Sequence, residues 1–304
     1  MSEHVELSEP ANKDGIRLID CESCGFVHVD PIPRPELLTR YYGRTFWQNV
    51  KPDALDALRR QRKWWRATYG DWLTLLGDAH DGRLVDVGCG YGEFAQVASA
   101  WGWTVVGIEP SERAAAYCER RGLHIYAETW ETCRVMSADA VSALWLIEHL
   151  PDPAAFLKWC NDILWPGGKL LLVLPNEWTP IQEEANLFAT KHEWWVHASH
   201  INYFSWASIE ALLERCGFRI TERFATYPME RFVMTGADYT DDHKAGRKAH
   251  KHIEKMDLLM SRESRISYYR WLGRRGRGRD IVLVAEKAPE MPLDGHRMAQ
   301  DGRE

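Results

Sequence analysis

The stretch from Arg83 to Pro110, RLVDVGCGYGEFAQVASAWGWTVVGIEP, constrains the fold of this chain more than any other. Leu84, Val85 and Val87 form a short apolar run around Asp86. Glycines follow at alternate positions, Gly88, Gly90 and Gly92, so the run reads as a buried strand breaking into a turn. Glycine suits a backbone that takes positive φ or lets a ligand lie against it. The next residues are helix-like with Gly102 as the stop, and a second apolar run from Thr104 to Ile108 ends in another acid, Glu109. Strand, glycine turn, helix, strand and acid make one βαβ unit with a mononucleotide-type site at the strand ends.

Spacing narrows the choice of nucleotide. The dinucleotide fingerprint is G-x-G-x-x-G, and Glu93 stands where its third glycine would fall, which disfavours NAD and FAD. The order from Asp86 is D-x-G-x-G-x-G, and it resembles the first motif of class I S-adenosylmethionine-dependent methyltransferases. The resemblance implies that Gly88, Cys89 and Gly90 lie against the amino-acid part of S-adenosyl-L-methionine. It also implies that Glu109, followed by Pro110, hydrogen-bonds the ribose hydroxyls, that Asp86 stands near the ammonium end, and that S-adenosyl-L-homocysteine is the product.

Later segments extend the resemblance. An apolar run from Ala138 ends in Leu146-Ile147-Glu148-His149-Leu150-Pro151-Asp152-Pro153, similar to the family's E-H-x-x-D-P element, and Trp165-Pro166-Gly167-Gly168 followed by KLLLVLPN is similar to its turn and fifth strand. His200-Ile201-Asn202-Tyr203-Phe204-Ser205 resembles the H-x-x-x-F-S segment before the sixth strand, with Ser205 as an N-cap and Cys216-Gly217 as the stop. By the same resemblance, Leu146 and Tyr42 join the cofactor candidates, and Glu128 or Thr129 reaches the adenine. Tyr41, Tyr42, Trp47, Arg62 and Trp65 are lid candidates, from helices expected at 35–42 and 53–76. An exposed helical face with packing aromatics is the alternative for each.

The implied fold is α/β: a Rossmann-like, seven-stranded, mostly parallel sheet with helices on both faces. A small N-terminal β-hairpin and helical cap precede it, and a helical insertion precedes the last strand. The expected division is 1–52 for the hairpin and cap, 53–229 for the cofactor-binding core, 230–278 for a basic insertion, 279–288 for the last strand and 289–304 for a disordered tail. Residues 1–15 read as a mobile tail.

Composition bounds the partners. A net charge of −6 over 304 residues gives no global field toward nucleic acid or an anionic membrane. No apolar run approaches the roughly 20 residues of a membrane span, and MSEHVELSEP has no signal-peptide core. The expectation is a cytoplasmic enzyme with a small-molecule substrate and no membrane, nucleic acid being disfavoured as a partner at this net charge and the oligomeric state open. The 15 tryptophans are a surplus that serves a core or lines a pocket for a flat or amphipathic substrate.

Methyl transfer from a sulfonium is a direct displacement, helped by a base when the acceptor must lose a proton. His149, at the end of the fourth strand, is the first candidate for that base, followed by Glu148, His197 and His200. Trp194, Trp195 and Tyr203, in the long Trp- and His-rich connection after Asn176, are substrate candidates. Arg275 is another, one of five arginines between 270 and 279 that could grip an anionic group. These arginines, with an N-terminal segment similar to that of sugar and natural-product methyltransferases, favour an anionic or nucleotide-linked sugar or a natural-product intermediate, methylated on oxygen or carbon. A quinone- or lipid-like acceptor and a non-catalytic cofactor-binding module are the alternatives.

Cys21-Glu22-Ser23-Cys24-Gly25 between two strand-like runs is half of a zinc ribbon. Four ligands are normally needed and no second CxxC exists, only His4 and His28 nearby. A metal-free hairpin is the expectation, with zinc completed by histidines or a partner chain as the alternative.

Overall fold

The computed structural model describes residues 4–50, 52–135 and 137–289, so most of the expected C-terminal tail lies outside the described residues. The strands are β1 (Glu6–Lys13), β2 (Ile16–Cys21), β3 (Phe26–Val29), β4 (Arg83–Val87), β5 (Thr104–Ile108) and β6 (His124–Tyr126). They continue as β7 (Ala138–Leu144), β8 (Leu164–Pro175), β9 (Asn202–Tyr203), β10 (Phe218–Ala225) and β11 (Asp280–Lys287). Seven of them form one sheet in the order β10-β11-β8-β7-β4-β5-β6. Every pair is parallel except the two made by β11, which runs antiparallel to β10 and β8.

The apolar runs at the sheet centre divide by parity. Leu170, Leu172 and Leu174 of β8 face one core with Val85, Val87, Val141 and Leu283, under Phe156, Leu157, Ile209, Leu212 and Leu213. Leu171 and Val173 face the opposite core with Leu84, Val282 and Val284, under Trp72, Leu73, Phe94 and Leu272. Successive side chains of a strand point to opposite faces, so a continuous apolar run belongs to a strand covered by helices on both sides. The strand ends at Val87, Ile108, Leu144 and Pro175 therefore share one edge, where the ligand crevice of an open parallel sheet lies.

Several boundaries differ from the sequence reading. Residues 6–13 are not a tail: they form β1, paired antiparallel with β2 from Glu6↔Cys21 to Lys13↔Ile16. The N-terminal hairpin is in fact part of a four-stranded sheet, β1-β2-β3-β9, whose last strand comes from 202–203. Such a pairing joins residues far apart in sequence, and two residues of strand leave no periodicity to read. The helix expected at 35–42 ends at Arg40 and continues as a π-helix, Tyr41–Val50. The one expected at 53–76 divides at Gln61 into Ala54–Arg60 and Arg62–Leu76. Trp165-Pro166-Gly167-Gly168 is an irregular start of β8 rather than a separate turn.

Candidate active site

The glycine turn after β4 requires glycine at each alternate position. Gly88, Gly90 and Gly92 have φ of 67°, 55° and 72°, a region that L side chains rarely adopt. A Cβ on Gly88 would lie 3.1 Å from Leu146 Cδ1, and one on Gly90 would lie 3.0 Å from Trp47 Cζ2. The backbone is thus bare where two side chains from other elements come down on it. Glu109, next to the end of β5, is buried; its Oε2 accepts the Gly90 N–H at 2.9 Å and its Oε1 the Ser111 N–H at 3.0 Å. Burial raises its pKa and these backbone donors pull it down. Ser111 caps the following helix, its hydroxyl accepting the Ala114 N–H at 3.4 Å.

Asp86 turns to the neighbouring strand and accepts the Ser142 hydroxyl at 2.8 Å. Burial holds its carboxyl up at about 7, with Ser142 opposing and Glu109 adding to the rise. Cys89 packs under the turn against Gly107 and close to Cys118, so its backbone rather than its thiol belongs to the turn face. Glu128 is exposed and Thr129 half-buried in the connection after β6. Pro110 stands beneath the π-helix, its carbonyl 3.7 Å from the position of a Cβ on Gly43.

That π-helix carries the lid candidates Tyr41, Tyr42 and Trp47. Trp47 donates its indole N–H to Glu109 Oε1 at 3.4 Å and packs on Tyr91, their ring centres 4.7 Å apart. From the same helix, the Tyr42 hydroxyl donates to the Ser199 carbonyl at 3.1 Å, and its ring centre lies 5.5 Å from that of His149. Of the other lid candidates, Tyr41 packs on Tyr42, Arg62 is exposed, and Trp65 stacks on Tyr69.

Glu148 and His149 sit in a 3-10 turn, Ile147–His149, which follows directly on Leu146. His149 Nδ1 is 2.6 Å from the Ser199 carbonyl, so the proton is on Nδ1 and Nε2 is the ring's basic nitrogen. Its ring centre is 5.0 Å from His200, which is 3.8 Å from His197. Glu148 is 2 % exposed, burial pushes its carboxyl well up, and its Oε1 lies 3.9 Å from His149 Nε2. The structure therefore joins all four catalytic candidates. Strand β9 and the residue before it hold the Glu148–His149 turn: Ile201 N–H donates to Glu148 O at 2.8 Å, and Asn202 Nδ2 donates to Ile147 O and Leu150 O at 3.1 and 2.7 Å.

The expected substrate residues are placed differently. Trp195 and Tyr203 are buried in the core of the N-terminal sheet with Leu18 and Ala11, and Trp194 packs beside them and against Val233 and Tyr239. Arg275 lies over the Trp271 ring at 4.5 Å. Of its neighbours, Arg270 pairs with Glu222, and the half-buried Arg279 pairs with the buried Glu177 and Glu230 at 3.3 and 3.7 Å. Arg270 and Arg279 are thus paired with the chain's own acids, while Arg270, Arg274 and Arg275 line a cavity of about 580 Å³ beside Trp271.

A cavity of about 220 Å³ went unread in the sequence. Trp64, Trp65, Trp72, Trp145, Tyr227 and Tyr269 give it aromatic walls, with Asp257, His250 and Asp280 as polar points. Trp145 follows the end of β7, has φ of 51° and donates its indole N–H to Asp280 at 3.2 Å. It immediately precedes Leu146, which covers Gly88. The only sequence signal was the position of Trp145 at a strand end; its partners Trp65, Trp72 and Asp280 lie 73 or more residues away.

A sheet of this order, a bare glycine turn after β4 and a buried acid after β5 define a class I methyltransferase with S-adenosylmethionine as its cofactor. The chain belongs to the methyltransferase-domain family, which matches residues 58–223, and is an S-adenosylmethionine-dependent methyltransferase. The positive-φ glycines and the buried Glu109 fit that cofactor, which Gly88, Gly90 and Glu109 would hold. The ubiquinone biosynthesis O-methyltransferase of Dinoroseobacter shibae is 35% identical over 130 residues, 40% of this chain and 51% of the relative. That of Actinobacillus pleuropneumoniae is 31% identical over 107 residues, 31% of this chain and 46% of the relative. The chain thus spans about half the length of these curated relatives. Among solved structures, the cyclopropane synthase of Mycobacterium tuberculosis shares the fold at a TM-score of 0.50 and 20% identity, over 73% of this chain and 83% of that one. A chain from the Haloferax volcanii complex of the Trm112 activator with a methyltransferase does so at 0.54 and 15%, over 82% and 99%. Among the described residues, no helix is long and apolar enough to cross a membrane.

Proposed function

We propose that the chain methylates an oxygen of a flat, mainly apolar small molecule, with His149 as the group that takes the proton. The observation that carries this reading is the hydrogen bond from His149 Nδ1 to the Ser199 carbonyl, which sets Nε2 as the basic nitrogen three residues beyond Leu146. When bound, S-adenosylmethionine supplies a methyl group already activated on a sulfonium. Gly88, Gly90 and Glu109 would hold that donor, and His149 takes the hydroxyl proton that the acceptor oxygen must lose. The lid residues Tyr42 and Trp47 cover the histidines and Glu109 and exclude water.

The aromatic cavity beside Trp145 supports a flat acceptor, because stacking and area burial on tryptophan favour rings. The relatives named for O-methylation in ubiquinone biosynthesis lean the same way. An anionic or nucleotide-linked sugar drew its support from the arginines of 270–279, three of which are engaged within the chain. The test is S-adenosylhomocysteine formation with hydroxylated aromatics and with nucleotide sugars, on the parent and on His149→Ala. Turnover of aromatics that falls about 10²- to 10⁴-fold in the variant, with cofactor affinity unchanged, is the expected result. Turnover of nucleotide sugars alone, or a variant with parental kcat, overturns it.

A further inference from the structure

In the N-terminal sheet, four side chains with metal-binding atoms converge: His4, Cys21, Cys24 and His28. One ligand atom from each lies within 4.8 Å of the other three. His4 Nδ1 is 3.5 Å from Cys21 Sγ and 3.4 Å from Cys24 Sγ. A tetrahedral zinc ion, with Zn–S about 2.3 Å and Zn–N about 2.0–2.1 Å, sets sulfur and nitrogen ligands about 3.5 Å apart. The spacing is that of ligands around one ion.

Local structure builds this arrangement from three separate places. Cys21 ends β2, and the turn that follows closes with the Gly25 N–H on Cys21 O at 2.8 Å, Gly25 taking φ of 77°. His4 is brought over the turn just ahead of β1, where the Glu22 N–H donates to Val5 O at 2.8 Å. His28 comes up from β3. Its ring is fully buried, its Nδ1 is 2.8 Å from the Val29 carbonyl, and its Nε2 has no hydrogen-bond partner among the described residues. A backbone carbonyl on Nδ1–H fixes the tautomer with the lone pair on Nε2, the device that orients metal-ligating histidines.

We propose that His4, Cys21, Cys24 and His28 bind one Zn²⁺ in a structural Cys2His2 site. On binding, the two thiol protons go to solvent, and two thiolates with two neutral imidazoles balance the charge of the ion. All four places are filled by protein, so the site is closed and does no chemistry itself. Its effect reaches the active site through the sheet. His28 is the cross-strand partner of Asn202, and Val27 that of Tyr203. Asn202 in turn holds the carbonyls of Ile147 and Leu150 on either side of Glu148 and His149. The ion fastens the strand that positions the histidines.

The experiment is metal analysis of the purified, reduced full chain, with Co²⁺ titration of chelator-stripped protein followed by absorption. Cys24→Ser and His4→Gln are the variants, since Cys24 is half-buried and His4 exposed. One zinc per chain, a cobalt spectrum typical of a tetrahedral S2N2 centre, and loss of bound zinc from both variants after dialysis against chelator are expected. Circular dichroism checks that the variants remain folded. A folded, reduced parent that holds no zinc and takes up no cobalt overturns the proposal. So does zinc retained by both variants, or one ion shared between two chains.

Discussion

Trp47 and Glu109 lie 62 residues apart in the chain and meet at 3.4 Å, indole N–H to carboxylate, directly above Gly90. The acid that closes the second strand of the βαβ unit is therefore covered by a helix that precedes the whole sheet. Glu109→Ala removes the acceptor of Gly90, Ser111 and Trp47 together. Hydrogen bonds to a charged group contribute about 1.5–3 kcal/mol each, so losing the two expected from the ribose hydroxyls would weaken cofactor binding by at least about 10²-fold. Titration calorimetry with S-adenosylmethionine and S-adenosylhomocysteine on parent and variant measures this, and unchanged affinity would contradict the site.

Gly90→Ala tests the bare backbone. At φ of 55° with Trp47 3.0 Å away, an added methyl strains the turn and displaces the lid ring. The expected outcome is a loss of about 1–2 kcal/mol in stability, read by denaturant unfolding, with a much larger loss of cofactor binding.

Asp86 gives a pH dependence whose sign is set by burial. Its folded carboxyl is held up at about 7 against an ordinary value of 3.8, so the folded state binds a proton that the unfolded chain has released. The contribution is fully present below about pH 4 and is lost as pH rises through about 7. Asp86→Asn keeps a neutral partner for Ser142 and cannot titrate. The parent melting temperature should fall between pH 5 and 8 more steeply than that of the variant, and parallel profiles would refute the assignment.

Arg279→Ala leaves Glu177 and Glu230 buried without their cation. Breaking a buried pair by removing one partner costs about 3–5 kcal/mol. Burial already raises both carboxyls, so acid neutralises them and part of the loss is recovered at pH 5 relative to pH 8. Thermal denaturation at the two pH values is the measurement. An equal deficit at both would point to lost packing instead.

Trp65→Ala removes an aromatic wall of the cavity beside Trp145, with ring centres now 5.9 Å apart. The acceptor KM should rise about 10-fold or more with cofactor affinity unchanged, since stacking of a ring on tryptophan is lost while the glycine turn is untouched. A change confined to kcat would place the acceptor elsewhere.

The sequence by itself determined whatever depends on neighbours along the chain. The strand, glycine turn and acid from Arg83 to Glu109 carry their own backbone requirements, so the βαβ unit could be read from them; the cofactor and the seven-stranded sheet followed from the family resemblance that they carry. The Ser111 and Ser205 caps are equally local, and both form. Tertiary structure decided what depends on distant partners. Strand β1 exists because β2 supplies its hydrogen bonds, which a charged, proline-containing segment does not announce. Trp194, Trp195 and Tyr203 looked like a substrate platform, yet the N-terminal sheet buries them; Arg279 looked free, yet Glu177 and Glu230 claim it. His4 and His28 become neighbours of the CxxC turn only when β1, β2 and β3 pair. In each case the deciding term was a long-range contact, whose formation depends on the whole fold and leaves no local periodicity to read.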